Sequence, residues 1–353
     1  MGGIRFAASH TNVRLMAKNG LNRLLELLGG LGELYGPVAA ADGAHRFQPI
    51  RKPSEIDPDC LRTLLPPKKI LYPFRDELLE FTEDGGFRTK EEANSGWRVL
   101  FGLHPCDIHG ILTLDQVFSA RYEEPRYFAR RRRAAIIGTD CWPDEKCFCH
   151  STKTDFVDKG FDLFLTDLGE DYFVRIGTAF GDDIVRTGGD LFRPIEPAAI
   201  DLYKERTNQR HAAFSHSVEL IDLPQILELD YDSRIWENLG DKCFSCGSCS
   251  AVCPTCYCYD VSDQIELGGR TGVRCRTWDS CLTNSFARVA DGRNFREERA
   301  TRIKLRYYHK QIAFVEQYGR PSCVGCGRCI VACPAEISVV DVLNAIFREK
   351  VVR

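Results

Sequence analysis

Two stretches decide the reading of this chain: Cys243-Phe244-Ser245-Cys246-Gly247-Ser248-Cys249-Ser250-Ala251-Val252-Cys253-Pro254 and Cys323-Val324-Gly325-Cys326-Gly327-Arg328-Cys329-Ile330-Val331-Ala332-Cys333-Pro334. Each sets three cysteines two residues apart, then a fourth after a longer gap, then proline. Three thiolates at that spacing curl round one iron-sulfur cubane, while the fourth points to a neighbouring cluster. The pattern assigns Cys243, Cys246, Cys249 and Cys333 to one 4Fe-4S cluster. It assigns Cys323, Cys326, Cys329 and Cys253 to a second. Zinc also accepts thiolate tetrads, but zinc knuckles have little need of this step followed by proline, and here it occurs twice. Gly247, Gly325 and Gly327 suit the role, because a residue without Cβ lets backbone amides approach cluster sulfurs. Such crossed ligation makes iron part of the fold, so its removal should unfold the unit.

Working outward, cysteine remains the outlier. The chain has 17, of which 12 lie between Cys243 and Cys333. Short-spaced groups differ from the dispersed pairs of a secreted disulfide scaffold and point to metal in a reducing compartment. Cys256-Tyr257-Cys258 and Cys147-Phe148-Cys149 are same-face thiol pairs if extended. Adding nearby partners gives Cys256, Cys258, Cys275 and Cys281 as one candidate tetrad and Cys106, Cys141, Cys147 and Cys149 as another. The count allows up to two further iron-sulfur clusters and leaves Cys60 over; zinc and plain buried thiols are the competing readings. Cys106 opens a helix beside His104 and His109, so a catalytic Cys-His pair is conceivable. Nothing in the sequence supplies its orienting third group, and a cluster ligand or structural thiol is the favoured reading.

Composition narrows the function classes. The chain has 353 residues, 44% hydrophobic and 27% charged, with net charge −3. These values describe a globular protein and argue against disorder and coiled coil. The near-balanced charge gives no nucleic-acid footprint, and the Arg130 to Arg133 run reads as a solvated face. No apolar run is long enough to span a membrane, and Met1 to Ala8 lacks the apolar core of a signal peptide, so the expected location is the cytoplasm. There is no Gly-x-Gly-x-x-Gly after a strand and no Gly-x-x-x-x-Gly-Lys-Ser/Thr.

The length fits two domains, and the cysteine shift puts a boundary near Leu229 to Trp236. The expected fold is α+β: a mixed α/β domain over 1–235, a candidate to carry an extra cluster, then a mostly helical, two-cluster ferredoxin-like domain over 236–353. Periodicity predicts a helix over Leu15 to Leu28 stopping at Gly29-Gly30, and strands at 33–40, 46–50, 70–74, 99–103, 134–138, 162–166 and 172–177. Residues Asp167 to Asp171 read as a hairpin turn. Later helices are expected over Thr301 to Tyr318 and Val339 to Phe347.

Several motifs carry a resemblance: His104-Pro105-Cys106-Asp107, Cys147-Phe148-Cys149, Gly160-Phe161-Asp162-Leu163 through Asp167-Leu168-Gly169, Cys253-Pro254-Thr255-Cys256-Tyr257-Cys258, Trp278-Asp279-Ser280-Cys281 and the final cysteine run. The chain resembles the iron-sulfur beta subunits of soluble sulfhydrogenase-type nickel-iron hydrogenases and their relatives, the A subunits of anaerobic sulfite reductases. That family commonly has arginine where this chain has His104. The resemblance implies a non-catalytic, one-electron relay in a multi-subunit oxidoreductase of anaerobic metabolism. Its partners would be a flavin-binding nicotinamide oxidoreductase subunit and a terminal catalytic subunit. Clusters without a substrate-pocket signature agree with this, since clusters carry electrons singly. The alternatives are a redox- or iron-sensing cluster protein and a zinc-stabilised interaction module.

Overall fold

A computed structural model describes residues 12–90 and 96–351; the Met1 to Ala8 start lies outside them. The first half runs β1 (Val13–Ala17), α1 (Leu21–Leu31), β2 (Glu33–Ala39), β3 (His45–Pro49), α2 (Lys68–Leu71), β4 (Arg75–Thr82), β5 (Phe87–Thr89), β6 (Arg98–Leu103), α3 (Pro105–Ser119), α4 (Pro125–Arg131), β7 (Ala134–Thr139), β8 (Leu163–Asp167), β9 (Asp171–Ile176), α5 (Ala179–Gly188) and α6 (Pro197–Ala212). The remainder runs α7 (Leu223–Leu229), α8 (Ile235–Lys242), α9 (Ser248–Ala251), β10 (Tyr259–Ile265), β11 (Thr271–Trp278), α10 (Arg299–Tyr308), α11 (Phe314–Tyr318), α12 (Arg328–Val331) and α13 (Val339–Val351). The fold is α+β.

Among the described residues, seven strands form one sheet in the order β1-β9-β8-β7-β6-β2-β3. Strands β2, β6, β7 and β8 are mutually parallel, and β1, β3 and β9 run antiparallel to their neighbours. Strands β6 and β7 read as near-continuous apolar runs because helices cover both faces of a parallel sheet. On one face α1 supplies Leu24, Leu25 and Leu28, and α5 supplies Ile184 and Val185. On the other, α3 buries Ile108, Ile111 and Leu114. This second helix layer matters for function, because α3 begins at the end of β6 and carries Cys106 in its first turn.

Two sequence expectations fail here. Residues 13–17 form strand β1 instead of the start of a helix, since pairing Leu15 with Phe173 of β9 satisfies their backbone at the sheet edge. The helix begins only at Leu21, after Lys18-Asn19-Gly20, and runs through Gly29-Gly30 to Leu31. Residues 68–71 are a helical turn where a strand was expected at 70–74. Pro66-Pro67 precede it, and proline's fixed φ suits a first helical turn. The other expected strands lie within one residue of the observed ones, and Asp167 to Asp171 does close the β8–β9 hairpin.

A second sheet, β10-β11-β4-β5, draws strands from both sides of residue 235. The cysteine shift near Trp236 therefore does not separate this sheet, whose two halves join where β11 pairs with β4. Its hub is Asp76 of β4, a buried carboxylate whose oxygens accept from Arg126 (2.6 Å), Arg130 (2.9 Å) and Arg276 (3.0 Å). Against the pull of burial, Arg130 and Arg126 hold Asp76 well below the usual carboxylate range. Arg130 is thus buried (4% exposed) rather than part of a solvated run, because its guanidinium reaches a carboxylate 54 residues earlier in the chain. In the C-terminal part α7, α8, α10 and α13 pack round Trp236, Leu239, Ile303, Tyr307 and Leu343. The expected 301–318 helix is continuous but passes through a π-helical segment at His309–Ala313 before ending at the left-handed Gly319.

Candidate iron-sulfur centres

The two cysteine runs fold alike. Each is a loop, then a glycine with positive φ (Gly247, φ 76°; Gly327, φ 71°), then a four-residue helix, α9 or α12, with one residue between its end and Cys-Pro. The two short helices pack together. This arrangement makes two adjoining cavities. One is lined by Cys243, Cys246, Cys249 and Cys333 and the other by Cys253, Cys323, Cys326 and Cys329. Each cavity thus takes three thiols from its own run and one, Cys333 or Cys253, from the end of the other, with Cys329 reaching the first cavity as well. Arg306, Tyr307 and Cys329 line both, so a single wall separates them.

Residues of the first half close over the second cavity. A Cβ at Gly325 would stand 2.6 Å from the backbone N of Cys149, and one at Gly327 would stand 2.6 Å from the carbonyl O of Lys146. Here the missing side chains make room for the 146–149 segment, a different service from the one expected of them. The Phe148 N–H donates to the Gly325 carbonyl (2.8 Å), and Thr154 Oγ1 donates to the Val324 carbonyl (2.8 Å). The guanidinium of Arg328 also forms a buried bidentate pair with Asp107 in the first turn of α3.

That seam brings together Cys106, Cys141, Cys147 and Cys149. The Cys149 thiol is in hydrogen-bond contact with Cys106 and Cys147, contacts that together with burial push its pKa well up. Cys141 lies close enough to feel the charge of Cys106 and Cys147. Cys147 falls to about 7, chiefly through its contact with Cys149 and also through Arg62, whose guanidinium donates to its Sγ (3.1 Å). Cys106 and Cys149 pack with Val324 and Cys326, so this group abuts the second cavity. The Cys-His pair does not form: His104 is held between the carbonyls of Cys60 (2.7 Å) and Thr139 (3.1 Å), and His109 Nε2 meets the Phe156 carbonyl (2.8 Å).

The remaining expected tetrad is brought together only in part. The Cys258 thiol meets Cys281, a contact that lowers it to about 6, and the Cys256 thiol meets Cys253. Cys275 stands apart. It is fully buried within β11, paired with Ser262 of β10 and Glu77 of β4. Tyr259 starts β10 opposite Trp278, so Cys275 sits about 10 Å along the ladder from the Cys258 end. Nearness in sequence misled here because a strand carries residues away from their neighbours at about 3.3 Å each.

Sequence reasoning also missed the cations round the thiols. Lys68, Arg306 and Lys310 are each buried, and among the described residues none has a carboxylate partner. Lys310 Nζ donates to Thr255 Oγ1 (2.9 Å) and approaches Ser322 Oγ (3.4 Å). Lys68 Nζ donates to the Cys256 carbonyl (2.6 Å) and lies 4.3 Å from the Trp278 ring centre. Arg306 Nε is buried with no hydrogen-bond partner. Burial opposes charge on Arg306 and Lys310, yet neighbouring thiolates raise both above their ordinary values. A buried cation without a counter-ion is costly. A thiolate-bound iron-sulfur cluster is an anion and would supply that counter-charge, so the donor set and its surroundings fit such a group.

The motifs, paired cavities and buried cations define the class, an iron-sulfur protein with a two-cluster domain, and the family model for a 4Fe-4S dicluster domain matches residues 242–337. The chain is also 39% identical to the sulfhydrogenase 2 subunit beta of Pyrococcus furiosus over 325 residues, covering 92% of this chain and 94% of that one. It belongs to the family of sulfhydrogenase beta subunits. No solved structure matches it significantly.

Proposed function

We propose that this chain is the electron-relay subunit of a multi-subunit oxidoreductase, passing single electrons between a flavin-binding nicotinamide-oxidising subunit and a subunit where terminal chemistry occurs. The observation that carries the reading is continuity: two thiol-lined cavities share the Arg306-Tyr307 wall, and Cys106 and Cys149 pack against Cys326 of the second. Bound 4Fe-4S clusters would supply one-electron carriers. Cys243, Cys246, Cys249 and Cys333 would hold the first, and Cys323, Cys326, Cys329 and Cys253 the second. Cys106, Cys141, Cys147 and Cys149 would hold a third, within the α/β domain. Cys256, Cys258 and Cys281 form an incomplete further set. The relative's name, a sulfhydrogenase beta subunit, supports membership of a complex. Among the described residues no helix is long and apolar enough to cross a membrane, and we place the complex in the cytoplasm.

The test is iron and sulfide analysis with EPR on the anaerobically purified chain. At least eight irons with reduced-cubane signals are expected, together with copurification of a flavoprotein subunit. Zinc filling the thiol sites, with no cubane signal, would overturn the reading. Crossed ligation has its own test, because Cys253→Ser should perturb the cluster of the second run; a change confined to the first run's cluster would refute the assignment.

A further inference from the structure

A separate cavity, about 940 Å³ including its open mouth, lies at the C-terminal ends of β6, β7 and β8, with Phe101, Thr139, Leu165 and Thr166 in its walls. Crevices at the carboxyl ends of parallel strands are where α/β sheets take ligands. The lining is rich in donors. Arg206 and Arg210 enter from α6, and Thr166 and Tyr172 from the β8–β9 hairpin. The Arg206 guanidinium has no ion pair or hydrogen bond among the described residues. Arg210 is 6% exposed; one of its nitrogens donates to the Asp155 carbonyl (2.7 Å) and stands 3.4 Å from Asp140. Thr166 Oγ1 is buried with no partner, a state a buried hydroxyl rarely keeps.

Three carboxylates, Asp59, Asp140 and Asp167, line the same cavity. Asp140 is taken by Arg210, and Asp167 by Lys18 at 2.6 Å. Asp59 is exposed. Within that lining the Arg206 guanidinium and the Thr166 hydroxyl are left without an acceptor among the described residues. Guanidinium donors prefer carboxylate and phosphate oxygens, and hydroxyl donors beside them suit the same groups.

We propose that this cavity binds a small oxyanion, a phosphate or a carboxylate, through Arg206, Arg210, Thr166 and Tyr172. Cys141 lines the same cavity, so the bound anion lies against one of the thiols assigned above to the third cluster. That placement makes it a ligand of the relay's first-domain end, where its charge would disfavour reduction of the neighbouring cluster. The effect on a cluster rests on the relay reading; the binding itself does not.

The test is calorimetric titration of the full, anaerobically purified chain with inorganic phosphate and, separately, with malonate. Saturable binding of one to one stoichiometry is expected, and whichever anion binds tighter identifies the class. Arg206→Gln and Thr166→Val should each weaken it about tenfold or more, with iron content and melting temperature unchanged. No saturable binding of either anion, or equal binding in the variants, would overturn the proposal. A Cys141→Ser chain that loses iron but still binds the anion would remove the third cluster and leave the pocket standing.

Discussion

Arg328 and Asp107 meet as two parallel hydrogen bonds of 2.6 and 3.0 Å, with both side chains 97% buried and 221 residues apart in sequence. Arg328 follows Gly327 inside the second cysteine run, while Asp107 follows Cys106 in α3. The pair therefore locks the first-half thiol group onto the second cavity. A third donor of the same guanidinium, Nε, reaches the Thr63 carbonyl (3.1 Å).

Removing one partner leaves the other charge buried and alone. Asp107→Asn or Arg328→Leu should destabilise the chain by about 3–5 kcal/mol. The Asp107→Leu, Arg328→Met double variant should recover part of that loss. Anaerobic urea denaturation measures both, and single variants as stable as the parent would show that the seam does not depend on the pair.

Arg306 faces both cavities and has no carboxylate partner among the described residues. Arg306→Leu should lower the reduction potentials of both clusters held there, because the added electron loses a nearby positive charge. At about 6 Å and an effective dielectric near 20 the shift is roughly 100 mV. EPR-monitored redox titration reads it; unchanged potentials in an iron-replete variant would exclude the electrostatic role.

The position of Cys275 separates the cysteines of the incomplete set. Cys275→Ser should leave iron content unchanged, costing only what burial of a small hydroxyl costs, about 1–3 kcal/mol. Cys258→Ser and Cys281→Ser should behave alike, since their thiols touch. Iron analysis of the three variants decides the grouping, and iron loss in Cys275→Ser alone would place that residue in a metal site after all.

Acid should find the Asp76 hub. Its carboxyl titrates in the folded chain well below its unfolded value of about 4. A depressed pKa adds stability that is fully present above the unfolded value and fades as pH falls from there towards the folded one. The melting temperature should therefore drop between pH 5 and pH 3, and Asp76→Asn, already weakened at pH 7, should show a shallower drop. Parallel pH curves for the two would refute the assignment.

What the sequence disclosed follows from how local each signal is. The cysteine runs and their αL glycines specify their own loops, so the grouping into two cavities could be read from spacing, and the apolar runs of β6 and β7 declare a covered parallel sheet. The second sheet was not legible: β10 is exposed along its whole length and has no buried face to impose a period. Arg130 looked solvated because its partner Asp76 arrives through tertiary packing. Lys68, Arg306 and Lys310 gave no signal either, since a lone basic residue reads as surface until the fold withdraws it from water.

From the Gly325 and Gly327 contacts we expect an order of maturation. Residues 146–149 seat against the left-handed turns at Gly325 and Gly327. On the relay reading, metal delivery should proceed from the C-terminal run outward, with the Cys106–Cys149 group loaded last. Timed alkylation during anaerobic reconstitution should find Cys147 and Cys149 protected later than Cys323 and Cys326; the reverse order would show that the first-half group assembles on its own.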